Sequence, residues 1–171
     1  MKAWLLIAMA GALLSGCATT MRIPAAEDVH QLMIAIRDDD GAAFDAHVDR
    51  RALEAQLQAM IVQRAARPDA PAAFRALAVI ASGPISRAAG GLFIQPEVFR
   101  AVADYYGYRP GMRIPGVLAI AGALRPLPDG RVCATRGRGG PCLVSFADEG
   151  GTWRMVSFDG DAAMLRLGRG G

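Results

Sequence analysis

Arg131-Val132-Cys133-Ala134-Thr135, Cys142-Leu143-Val144-Ser145-Phe146-Ala147 and Thr152-Trp153-Arg154-Met155-Val156-Ser157-Phe158 decide the fold. Each run is short and rich in apolar and β-prone side chains. Each is set off by turn formers: Pro128-Asp129-Gly130, Arg136-Gly137-Arg138-Gly139-Gly140 and Asp148-Glu149-Gly150-Gly151. Three such runs in succession predict an antiparallel meander. A turn centred on Gly137-Arg138 would set Cys133 directly opposite Cys142, with their β-carbons at about the separation that a cross-strand disulfide needs.

Upstream of these runs the hydrophobic period lengthens. From Glu27, the residues Val29, Leu32, Met33 and Ile36 recur at helical spacing and predict a first helix to about Arg37. Asp38-Asp39-Asp40-Gly41 ends it, and Asp40 is placed to cap a short second helix over Ala42–Val48. A third helix, from about Arg51 to Ala66, carries Leu53, Leu57, Met60 and Ile61 on one face, and Arg67-Pro68-Asp69-Ala70-Pro71 stops it. Ala72 to Ile94 is strongly apolar. Arg75, Arg87 and the central Ser82-Gly83-Pro84 argue there for one broken or two short buried helices rather than a membrane span. Pro96-Glu97 reads as the first turn of a further helix through Phe99 and Val102 to about Tyr106. Within Val117–Leu127 the alanines and Gly122 suit neither type well, and the expectation is a strand over part of the segment. Helices first and sheet last make an α+β fold, with N-terminal helices packed on a small C-terminal antiparallel β-meander.

The N-terminus reads as an address. Lys2 and an apolar run from Ala3 to Leu14 are too short for a permanent span but right for a secretory leader. Leu14-Ser15-Gly16-Cys17 follows, the lipobox pattern in which the cysteine takes a diacylglyceryl thioether and the leader is cut before it. Ser15 and Gly16 let the chain lie extended in a peptidase, and the Cys17 thiol is the side chain there able to carry lipid. The expected organisation is a leader over 1–16, a lipidated tether over 17–26, one domain over 27–166 and a flexible tail over 167–171. Within the domain, 27–116 is expected to be helical and 117–160 to form the sheet. Ala18 is not the aspartate that retains such proteins at the inner membrane, so the periplasmic face of the outer membrane is expected. Three cysteines less Cys17 leave Cys133 and Cys142, an even pair suited to a disulfide in an oxidising compartment.

The chemistry-bearing residues are few. Net charge is +3, a balance that does not argue for nucleic acid, and Lys2 is the chain's lysine, so no Schiff base or Ser-x-x-Lys dyad survives leader removal. His30 and His47 are the histidines. Asp45 and Asp49 lie near His47, but no serine sits in a Gly-x-Ser-x-Gly elbow, since Ser82 precedes Gly-Pro and Ser86 precedes arginine. His47 is expected to face away from Phe44, toward solvent. In Asp38-Asp39-Asp40-Gly41 the glycine comes too early for a calcium loop of the EF type, leaving a helix-ending and capping cluster. Cys133 and Cys142 lack the spacing of a redox motif and the further ligands that zinc requires. Arg136-Gly137-Arg138-Gly139-Gly140 reads as a hairpin tip, and Tyr105, Tyr106 and Tyr108 as packing at a helix end. No catalytic residue, metal or cofactor is expected.

Ala35-Ile36-Arg37, Asp40-Gly41-Ala42-Ala43-Phe44, Val48-Asp49, Ala52-Leu53 and Leu57 together resemble the helical block of a bacterial envelope family, domain of unknown function 2939. Trp153-Arg154-Met155-Val156 is similar to the end of that family's C-terminal meander, and the resemblance spans residues 27–158 in outline. The helix-then-sheet order is also similar to cystatin-like and nuclear-transport-factor-like folds, many of which hold small ligands in the sheet's concavity. This chain departs from them by its short strands and by a helical insert over 68–95 that would fill such a pocket. The expectation is a non-catalytic binding or assembly module, held at the membrane through lipid on Cys17. Its partner would be an apolar or anionic envelope component or another envelope protein. A hydrolase with an unrecognised site is the alternative.

Overall fold

The computed structural model of the chain describes residues 21–81, 94–105, 111–135 and 139–159. In chain order these form α1 (21–38), α2 (Gly41–Ala46), α3 (Arg50–Ala65), α4 (Ala72–Ala81), α5 (Pro96–Tyr105) and α6 (Val117–Ala123). The strands β1 (Leu124–Pro126), β2 (Val132–Thr135), β3 (Cys142–Glu149) and β4 (Thr152–Phe158) follow in one sheet of order β1-β2-β3-β4, antiparallel throughout. The arrangement is α+β, as the change of hydrophobic period implies.

Alternation along the strands gives the sheet a core face and an outer face. Val132, Phe146, Trp153 and Met155 are buried on the core face with Leu124 from β1. Against them pack Ala25, Ala26, Val29, Leu32 and Ala35 of α1, then Phe44, Val48, Leu53, Ile94, Ile120 and Ala121. These side chains fill the space beneath the sheet. An irregularity between β3 and β4 lets the pattern survive. The β3–β4 register shifts between Ser145 and Phe146, so that Ser145 pairs with Ser157 and Phe146 with Met155. Val156 is the extra residue, and the bulge keeps Trp153, Met155 and Phe158 all on the core face.

The α1–α2 corner follows from its aspartates. Asp39 takes φ 62, a left-handed conformation that aspartate tolerates better than most residues, and the Asp40 N–H donates to the Ala35 carbonyl at 3.0 Å. Asp40 then caps α2 by accepting from the Ala43 N–H at 3.0 Å, and Asp49 caps α3 by accepting from Ala52 at 3.1 Å. Asp40→Ala is expected to cost about 1 kcal/mol. Urea unfolding of the variant measures it, and an unchanged midpoint would refute the cap.

Four expectations are corrected. α1 does not begin at Glu27: residues 21–26, expected as tether, are already helical, with Ala25 and Ala26 fully buried. The 117–160 segment is not all sheet. Val117–Ala123 is a helix, because three alanines with strong helical propensity follow an extended Gly116, and Ile120 and Ala121 find the core. A strand begins only at Leu124, where the backbone turns to φ −84 and ψ 135. α4 is helical as expected but not buried on every side: Ala72, Ala73, Arg75 and Ala76 are exposed and Val79 is 75% accessible. Its neighbour is α3.

The fourth concerns register. Cys133 pairs with Ser145 and Cys142 with Thr135, because the β2–β3 ladder slips between Ala134 and Thr135. The cysteines are therefore diagonal neighbours rather than opposite ones. The slip still leaves their Cα atoms 5.6 Å apart, and the disulfide forms. Closing so short a loop restrains the unfolded chain by about 2–3 kcal/mol. Reduction is expected to lower the melting temperature measurably by calorimetry, and an unchanged melt would rule out the staple role.

Candidate functional site

A cluster of polar groups among the described residues joins α1, α2 and β4. Asp28 lies on α1 and His47 is the C-cap of α2, with side chains 22% and 15% accessible. His47 Nε2 sits 3.3 Å from Asp28 Oδ1, and Nδ1 sits 2.9 Å from the Ala43 carbonyl oxygen. Asp28 Oδ2 accepts from the Trp153 N–H at 2.7 Å. Next to it, the Met155 N–H donates to the His47 carbonyl at 2.9 Å and the Asp49 N–H to the Met155 carbonyl at 3.0 Å, pairing Val48 with Met155 in a parallel bridge. Three residues further along β4, Gln56 of α3 completes the row. Its Nε2 donates to the Phe158 carbonyl at 2.5 Å and its Oε1 accepts from the Phe158 N–H at 3.1 Å.

Together these contacts close the free edge of the sheet. An open edge strand offers unpaired N–H and C=O groups to any passing chain. On β4 the Trp153 N–H is taken by Asp28, and both backbone groups of Met155 and of Phe158 by the His47–Asp49 backbone and by Gln56. At the other edge, β1 is three residues long and ends in Pro126, which has no N–H to offer. Neither edge is shaped to receive a peptide strand.

His47 was expected in solvent. It is instead a clamp, because the chain reverses at His47 and directs its ring back toward α1. Both ring nitrogens face oxygen acceptors, so neither is free to pass a proton to a substrate. The partner that matters, Asp28, is not one of the aspartates beside His47 in sequence. Its single legible signal is an acidic residue inside an otherwise apolar helical face. His47→Ala is expected to cost about 1–3 kcal/mol, since Asp28 loses a partner in a half-buried position. A double-mutant cycle with Asp28→Asn checks it, and strict additivity would show that the two side chains are not coupled.

Cys133 and Cys142 are bonded to each other, as expected. Asp38 pairs with Arg37, Asp39 with Arg100 at 2.9 Å, and Asp40 is spent on its cap. The capping reading of that cluster holds, and no group of metal-binding side chains occurs among the described residues. Asp129 is held below its ordinary carboxylate range by its hydrogen bond to Arg131. A depressed carboxylate stabilises the fold above its unfolded pKa and loses that contribution as pH falls. Because water reaches both side chains, which are 41% and 49% accessible, the contribution is small. Cys17, Ser82, Ser86, Tyr106, Tyr108 and Arg136–Arg138 lie outside the described residues. Near the start of β3 and the end of β4, Cys142, Leu143, Ser145, Ser157 and Asp159 border an open depression of about 180 Å³. Sites for small organic ligands are larger, roughly 300–1,000 Å³.

The family described as "Protein of unknown function (DUF2939)" matches residues 11–102, more than half of the chain. The chain belongs to this family. The DUF2939 match covers α1 to α4 and most of α5, including Asp28, His47 and Gln56. It stops before the meander, so Trp153 and the disulfide lie beyond the matched residues. No curated protein and no solved structure matches the chain.

Proposed function

We propose that this DUF2939 protein is a lipid-anchored envelope protein, held by a diacylglyceryl thioether on Cys17 and facing the periplasm from the outer membrane. It acts there as a non-catalytic binding or assembly module for an apolar or anionic envelope component or another envelope protein. Leu14-Ser15-Gly16-Cys17, preceded by Lys2 and an apolar run, is the observation that carries the reading. One further point supports it: a disulfide between Cys133 and Cys142 suits an oxidising compartment. No helix among the described residues is long and apolar enough to cross a membrane.

Among the described residues, the histidine–carboxylate contact that bears on a hydrolase is Asp28–His47. Its ring nitrogens are both engaged within the fold, and it favours the binding-module reading. Intact-mass and peptide mass spectrometry of the native protein test the anchor: the N-terminal peptide should begin at Cys17 and carry the lipid mass. Native mass spectrometry of the exported protein tests the module. A lipid- or sugar-sized co-purifying mass would identify the cargo, and a clean monomer would direct the search to protein partners.

A further inference from the structure

We infer that the domain sits directly on the lipid headgroups, its α1 entry end against the bilayer, with no tether that lets it reach away. This rests on the lipidation of Cys17 proposed above. Four residue steps separate Cys17 from Met21, which is already helical. Whatever their conformation, four residues span at most about 14 Å. Residues 21–26 cannot lengthen that reach without leaving the fold. Ala25 and Ala26 are fully buried in the core cluster, and Met21 and Ile23 pack against it. Unwinding this turn would withdraw two buried residues and two packed ones from the sheet. Arg22, half-buried in the same turn, supplies a cation at the entry end, where anionic lipid phosphates would lie. The surface that recognises a partner therefore works at the membrane, on components of the leaflet or on proteins embedded in it.

Neutron reflectometry of the purified, lipidated full-length protein on a supported phospholipid bilayer tests this. The expected result is protein density beginning within about 14 Å of the headgroup layer. A variant with twenty Gly/Ser residues inserted between Thr20 and Met21 should open a hydrated gap larger by roughly 25 Å. A gap wider than about 14 Å in the unmodified protein, with lipid confirmed on Cys17 by mass spectrometry, would overturn the seating while leaving the anchor intact. An unchanged gap in the insertion variant would equally overturn it, because chain length would not then set the distance. A Cys17 peptide without lipid mass would overturn both the seating and the anchor.

Discussion

Phe44→Ala is expected to destabilise the protein by about 3–5 kcal/mol, the range for removing a fully buried aromatic ring. Phe44 is 0% accessible and lies on the short α2, where its burial, rather than helix propensity, holds the helix in place. Its ring meets Phe99 of α5 at 5.3 Å between centroids, and the Arg50 guanidinium lies 6.0 Å above it. Arg50 in turn donates to the Ile94 carbonyl at 2.7 Å and pairs with Asp45. One ring thus supports α2, the start of α3 and the entry to α5 together. Domains are stable by only about 5–15 kcal/mol, so the loss is a large share of the whole. In a chain of this size it should lower the melting temperature by roughly 6–20 °C. Leu118→Ala, at a residue 79% accessible, is the control and should stay within about 0.5 kcal/mol. Equal effects at the two positions would mean that the helices do not share a core with the sheet.

Cys17→Ser is expected to abolish lipid attachment, leaving the protein unprocessed or soluble. A hydroxyl cannot form the thioether, and the leader peptidase acts only after lipid is added. The variant should accumulate with its leader or appear in the soluble fraction, while its Cys133–Cys142 bond still forms once it is exported. Fractionation and intact mass read the two effects separately. A mature-sized Cys17→Ser protein that still sediments with membranes would refute the anchor. The same experiment separates attachment from folding, because the first fully buried residue, Ala25, lies eight positions beyond the cysteine.

How the chain reads from sequence depends on how far apart the interacting residues are. Local signals were legible. Periodic apolar residues mark α1 and α3, Asp40 and Asp49 mark the helix starts, and Gly-rich turns bracket β2, β3 and β4. These features are settled within a few residues by capping, backbone propensity and side-chain alternation, so the α+β order and the pairing of the two cysteines follow from sequence. Tertiary structure decided the rest. Val117–Ala123 is a helix because Ile120 and Ala121 meet the core, where composition alone left the segment ambiguous. The β2–β3 slip moves Cys142 opposite Thr135, since register depends on the whole sheet and not on the turn beside it. His47 leaves solvent for Asp28, and Gln56 pairs with the Phe158 backbone, across separations that no local pattern records. Sequence by itself determined the helices-then-sheet order and the strands of the C-terminal meander. Only the packed structure determined which polar side chains close the sheet's edge, because that follows from where helices and strands meet in space.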